Sequence, residues 1–210
     1  MDDSWPNLYN DPYAVKRIQK SVELANVKKG MSVLDIGCHK GELENLLPKG
    51  VFYYGMDNLL GHEIDGGFIP IRKFDRVFCL ETLEHLKYPI KTLKSINDAL
   101  LPDGIVLISL PNEATLFHRI RSFLGTVDAE AFQECGKHIH LANLRQSTEF
   151  LEKQFLILRR LQYINPQATG SRQSWLGKLM RLLPDNFWQF LADRFPSLLA
   201  RGFIFVCKLP

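Results

Sequence analysis

The chain has 210 residues, a formal net charge of +3, 46% hydrophobic and 23% charged residues. That balance suits one domain with a sizeable core, and its charge is too small and scattered to argue for a nucleic-acid partner. Cys38, Cys79, Cys135 and Cys207 form no C-x-x-C pair, the start Met1-Asp2-Asp3-Ser4 lacks the order of a signal peptide, and no apolar run is long enough to span a bilayer; these features speak against a zinc site, a disulfide framework and a spanning segment, and fit a reducing cytoplasm.

In chain order, Trp5 to Asn10 reads as an extended aromatic lead-in that either packs on the surface or covers a ligand. Asp11 caps a helix that Pro12 starts, with Tyr13, Val15, Ile18, Val22 and Ala25 on one stripe and Lys28-Lys29-Gly30 at its end, so 1–29 forms a cap. Val33 to Ile36 reads as a buried strand, Gly37 to Gly41 as a tight loop and Glu42 to Leu47 as a helix broken by Pro48. Gly37 and Gly41 can take positive φ and let a ligand lie against the backbone, and the first turn of a following helix offers N–H groups to anything negative. The loop spells neither G-x-G-x-x-G nor a Walker sequence, which disfavours a nicotinamide oxidoreductase. Val51 to Met56 is a second buried strand with Asp57 and Asn58 at its end. An acidic residue about twenty positions beyond the glycine loop suits the two hydroxyls of a ribose; a plain turn opener is the alternative.

His62 to Ile71 offers a very short third strand and a turn containing Asp65 and Gly66. Phe74 to Leu80 is a fourth strand, followed by Glu81-Thr82-Leu83-Glu84-His85-Leu86. Ile90 to Leu101 has helical spacing with Ile90, Leu93, Ile96, Leu100 and Leu101 inward, and Ile105 to Leu110 is a fifth strand. This alternation predicts a parallel sheet covered on both faces, with ligands bound beyond the carboxyl ends of its strands. Asp35, Gly37, Asp57, Asp65 and Glu81 all fall at or near such ends.

The segments Val33 to Cys38, Met56-Asp57, Ile69-Pro70-Ile71 before Phe74-Asp75, Leu80 to Leu86, and Leu101 to Gly104 through Leu110-Pro111-Asn112 occur in an order and spacing that resembles the type 11 group of class I S-adenosylmethionine-dependent methyltransferases. The resemblance covers roughly residues 30–165. It implies that the loop after Asp35 holds the methionyl part of S-adenosylmethionine through Gly37, Cys38 and Gly41. Asp57, with Asn58 beside it, would bind the ribose, and Asp65-Gly66 would face the adenine. Leu80 and Glu81 would lie under the cofactor where the methyl group points toward substrate. His39 stands where the family usually has glycine; its ring is expected to turn outward, because inside the loop it would compete with ligand.

The second half is less regular. Residues 113–137 read as an insertion with Leu116, Phe117, Ile120 and Leu124 on one helical face. A helix is expected from about Leu144 to Lys153, a sixth strand from Phe155 to Tyr163, and a last, antiparallel strand from Phe203 to Cys207. Residues 166–202 form a long hydrophobic helical insertion. Within 171–202, Arg172, Lys178, Arg181, Arg194 and Arg201 outnumber Asp185 and Asp193 by three. Such a stretch packs on the sheet, joins a homodimer or meets a membrane surface or apolar substrate.

The reading is therefore one Rossmann-like α/β domain over 1–210: a seven-stranded, mostly parallel sheet with helices on both faces and the last strand antiparallel. Its expected function is methyl transfer to a small-molecule substrate, a lipid or saccharide intermediate. A non-catalytic cofactor-binding or scaffold protein is the alternative. His85, His138 and His140 are the candidate catalytic bases, with Glu81 and Glu84 behind them. His138 and His140 have no third ligand at a suitable spacing, so no metal is expected. The expected location is cytoplasmic, either free or peripheral to a membrane.

Overall fold

A computed structural model describes residues 12–125, 138–163 and 184–210. The expectations for Trp5, Tyr9, Asp11, residues 126–137 and 164–183 lie outside the described residues. Six strands form one sheet in the order β2-β1-β3-β4-β6-β5: β1 Ser32–Ile36, β2 Phe52–Met56, β3 Phe74–Leu80, β4 Leu100–Pro111, β5 Leu156–Tyr163 and β6 Gly202–Lys208. β2, β1, β3 and β4 pair in parallel, and β6 runs antiparallel to both β4 and β5.

Every residue of β1 is buried, because it lies inside the sheet with both of its faces covered by helices. Val33, Phe78 and Leu107 pack with Ile18 and Ala25 of α1 (Pro12–Ala25) on one face. Leu34, Ile36, Val77 and Cys79 pack on the other with Leu93, Ile96 and Ala99 of α2 (Pro89–Ala99) and Leu144 and Leu151 of α4 (Leu144–Leu151). Between them, α3 spans Leu116–Phe123. Two further helices, α5 (Asp185–Arg194) and α6 (Pro196–Leu199), precede β6. Asn112, buried at the end of β4, donates its side-chain N–H to the carbonyls of Pro196, Ser197 and Ala200, which fixes this C-terminal connection to the sheet.

Three expectations change. The short third strand in 62–71 does not form, so the described sheet has six strands and β2 is its edge. Gly66 and Gly67 take φ of +97° and +95°, outside the strand region, and Pro70 lacks an N–H. The segment's polar groups go to α2 instead: Thr92 donates to the Ile64 carbonyl, and Phe68 N–H donates to Ser95 Oγ. Ile69 and Ile71 stay exposed there, bordering a shallow apolar groove with Tyr54 and Phe68.

The helix expected at Glu42 to Leu47 is only a 3₁₀ turn, Glu44–Leu46. Pro48 forces Leu47 to extended backbone (ψ 150°), leaving too few residues to nucleate an α-helix. Finally, α2 ends at Ala99 because Leu100 pairs with Phe74 and opens β4, while Ile90 is exposed rather than inward.

Candidate active site

The loop after β1 is held by its own backbone. Gly37 and Cys38 N–H both donate to the Met56 carbonyl, and Gly41 N–H donates to Cys38. Gly37 (φ +75°) and Gly41 (φ +80°) turn the chain. A Cβ on Gly41 would meet nothing nearer than Tyr53 Oη at 3.8 Å, so the loop is open on that side.

His39 takes φ +50° and is buried. Its Nδ1 lies 2.8 Å from Glu42 Oε1, and its backbone N–H donates to Asp57 Oδ2 at 2.8 Å. Glu42 Oε2 also accepts from Lys40 N–H. The ring thus completes the turn by satisfying a buried carboxylate, which a glycine could not do. His39→Gly should relieve about 1–2 kcal/mol of left-handed strain but strand the Glu42 carboxylate at about 1–3 kcal/mol. Urea unfolding is expected to show a small net loss of stability, with cofactor affinity nearly unchanged because the backbone bond to Asp57 survives; a clear gain in stability would show that the ring contributes nothing.

Asp35 is buried at the end of β1 and accepts a hydrogen bond from Tyr53 Oη at 2.9 Å. Burial pushes its carboxyl up to about 7, only partly offset by the Tyr53 bond. A carboxyl raised in the folded state stabilises most below its ordinary range and loses that contribution as pH rises toward 7. Asp35→Asn should therefore gain on the wild type by about 2–3 kcal/mol between pH 5 and pH 8 in urea unfolding, with a parallel pH profile as the contrary result. Burial also pushes the Cys38 thiol up to about 12, so it stays neutral beside the loop.

Asp57 stands one strand away. Besides the His39 N–H, it accepts Leu59 N–H at 2.8 Å through Oδ1, tying the end of β2 to the loop. Asn58 is exposed beside it. The two oxygens of Asp65 accept Lys87 and Tyr88 N–H at 2.9 Å each, ahead of α2. Gly66 follows it in open space.

The end of β3 builds the second half of the site. Leu80 is half-buried, and Glu81 takes φ +51°. Glu81 N–H donates to Ser109 Oγ at 2.9 Å, and its carboxylate lies 3.6 Å from Arg17 Nη1 of α1. Left-handed non-glycine residues, His39 and Glu81, thus sit just past the ends of adjacent strands, a form of strain that concentrates at functional sites. In the 3₁₀ turn Leu83–His85, Glu84 is buried, and burial together with the Glu81 charge raises it well above the carboxylate range. Its backbone carbonyl accepts Ile139 and His140 N–H, docking that segment onto the turn.

His138 and His85 meet there, ring centroids 4.8 Å apart and edge to face. His138 Nδ1 hydrogen-bonds Glu113 Oε1. Burial alone would push Glu113 up and His138 down; their mutual bond and charge win, holding Glu113 below and His138 above their ordinary ranges. His140 is separated from this pair in function, since its Nε2 lies 2.8 Å from the Leu86 carbonyl and acts as a donor to it.

Tyr53, Glu42, Glu113 and Arg17 join the site without a motif to mark them. Tyr53 could have been found from parallel pairing: Val33 lies opposite Tyr53 and Asp35 opposite Gly55, so Tyr53 and Asp35 share a face. Glu113 stands at the end of β4, the same kind of place as Asp57 and Glu81. The set fits S-adenosylmethionine, which needs an open glycine turn and carboxylates for an ammonium and a ribose; Gly41, Asp35 and Asp57 are the residues that would hold it. When bound, that cofactor supplies a sulfonium-borne methyl group.

A family model described as a methyltransferase domain matches residues 11–154. A curated relative, the ubiquinone biosynthesis O-methyltransferase of Haemophilus ducreyi, is 30% identical over 190 residues, covering 78% of this chain and 75% of its own. Among solved structures, the N-methyltransferase NodS of Bradyrhizobium japonicum in complex with S-adenosyl-L-homocysteine aligns over 100% of this chain and 93% of its own, with a TM-score of 0.55 at 15% identity. A SAM-dependent methyltransferase from Aquifex aeolicus aligns over 98% and 100%, with a TM-score of 0.56 at 14% identity. Family model, relative and fold converge with the strand-end geometry: the chain belongs to the class I S-adenosylmethionine-dependent methyltransferases.

Proposed function

We propose that the chain methylates an oxygen of a small, partly apolar acceptor. The observation that carries this is the placement of the His85–His138 pair at the end of β3, next to the loop strand β1, with an apolar rim beside it. The rim is α3, which begins three residues after Glu113; its His118 Nδ1 lies 3.8 Å from Glu113 Oε2, and Phe117, Ile120 and Phe123 are exposed. A polar end within the site and an apolar flank suit a lipid-like intermediate better than a free sugar. Relatives from Haemophilus ducreyi and Histophilus somni named as ubiquinone biosynthesis O-methyltransferases support a small-molecule oxygen acceptor.

The chain's own contribution is to position the acceptor. In-line displacement at a methyl group needs nucleophile, carbon and sulfur aligned and water excluded. Glu113 fixes the His138 ring, Glu81 is held by Arg17 and Ser109, and both lie just past strand ends, as Asp57 does. Among the described residues, no helix is long and apolar enough to cross a membrane; an apolar acceptor would reach the site across α3.

The test is transfer of a labelled methyl group from S-adenosylmethionine to a panel of alkyl phenols, hydroxylated lipids and saccharides. Turnover is expected on hydroxylated apolar acceptors. Cofactor binding without turnover on any acceptor would instead favour a non-catalytic scaffold.

A further inference from the structure

We propose that Glu84, His85 and His138 form a binding site for one divalent transition-metal ion. The Glu84 carboxylate is buried at 3% exposure, and neither of its oxygens has a hydrogen-bond partner among the described residues. A buried carboxylate in that condition is costly and calls for a cation. Two are poised to share it: His85 Nε2 and His138 Nε2 each lie 3.9 Å from Glu84 Oε1. One ligand atom from each of the three residues falls within 4.8 Å of the others.

The surroundings favour the same use. Glu113 pairs with His138 Nδ1, which leaves Nε2, 3.9 Å from Glu84 Oε1, as the nitrogen available to an ion that displaces its proton. This is the outer carboxylate that orients metal-bound imidazoles. The turn is also rigid where it matters, because the Glu84 carbonyl takes two N–H groups from 139 and 140 and so pins His138 against it. Metal bonds of about 2.0–2.2 Å would require the three groups to close by under about 1 Å each, within the reach of side-chain rotation. The His85 and His138 side chains are 24% and 33% exposed, which leaves an entry path and open coordination positions.

Two imidazoles and one carboxylate select zinc, iron, cobalt, nickel or manganese over magnesium and calcium. Sequence spacing missed the site because it paired His138 with His140, whose Nε2 is committed to Leu86, and looked for a third ligand nearby. The two ligands that join His138, Glu84 and His85, come from the turn after β3, and the outer carboxylate Glu113 from just past the end of β4. Resting on the methyl-transfer reading, the ion's open positions would take an oxygen of the acceptor.

The test uses the full chain freed of metal by chelation and titrated with Co²⁺ alone, read by its visible absorption and by calorimetry. One ion per chain is expected, with affinity reduced at least tenfold in Glu84→Gln and in His138→Gln, and by about tenfold in Glu113→Gln. His62→Gln, whose ring packs on Tyr54 of β2 and is not one of the three ligands, should bind as wild type. His138→Gln, at a half-exposed position, keeps the test decisive if Glu84→Gln does not fold. Absence of Co²⁺ binding, or equal binding by wild type and both ligand variants, overturns the site. S-adenosylhomocysteine binding measured on the same samples separates the two claims: cofactor binding without Co²⁺ sinks the metal site alone, and Co²⁺ binding without cofactor sinks the methyl-transfer reading.

Discussion

Gly37→Ala should be the most damaging single substitution in the cofactor loop, with an expected loss of roughly 3–5 kcal/mol. At φ +75° any Cβ is strained, which accounts for about 1–2 kcal/mol. The larger part comes from Thr82, packed under the loop: an added Cβ would lie 2.7 Å from Thr82 Cγ2 and closer still to its Oγ1. Thr82 is buried and its hydroxyl, 3.2 Å from both, can donate to the carbonyl of Ile36 or Leu80, bridging the ends of β1 and β3. Moving it aside breaks that bridge. Glycine is therefore required here by the neighbouring strand, whatever the ligand needs. A double-mutant cycle with Thr82→Ala isolates the cause: the double variant should be more stable than the two single losses added together predict. Strict additivity in urea unfolding would show that the Thr82 contact is not the reason.

Asp57→Ala should lower S-adenosylhomocysteine affinity by about 1.5–3 kcal/mol, roughly 10- to 150-fold, as expected for removing charged hydrogen bonds to ribose. The structure adds a second consequence. Because the carboxylate also accepts the N–H groups of His39 and Leu59, its loss frees both the glycine loop and the 3₁₀ turn at Asn58–Leu60. Stability should fall by about 1–3 kcal/mol as well. Asp57→Asn separates the effects, since its single carbonyl oxygen can keep only one of the backbone bonds while losing the charge. Calorimetry and unfolding on the same samples check both; unchanged affinity in Asp57→Ala would contradict the ribose assignment.

The sheet was legible where burial dictates pattern. Val33 to Ile36, Phe74 to Leu80 and Ile105 to Leu110 are largely apolar because both faces are covered; the first two form strands within a residue of their expected bounds, while the third lies inside a longer strand that already begins at Leu100. The antiparallel last strand was legible too, though not its place between β4 and β5, which depends on pairing across the whole chain. The short third strand was misread because Ile69 and Ile71 look like strand residues, while the deciding partners, Thr92 and Ser95, lie far along the chain on α2.

The site was legible in the same unequal way. The positions of Asp35, the glycines, Asp57 and Glu81 at strand ends and tight turns are legible because such places leave local marks in the sequence. The burial of His39 is not, because it depends on Glu42 accepting its ring. The Asp65 carboxylate also holds the start of α2, a contact over more than twenty residues that no spacing rule reports. The histidines were recognised as chemistry without their geometry: His138 is defined by Glu113, twenty-five residues before it, and His140 by a backbone carbonyl.

Titration calorimetry of the full chain with S-adenosylmethionine and S-adenosylhomocysteine tests the central claim most directly. Saturable binding of one molecule per chain is expected for both, weakened at least tenfold in Asp57→Ala. No binding of either by a folded chain would contradict the assignment of this strand edge as a methyl-donor site.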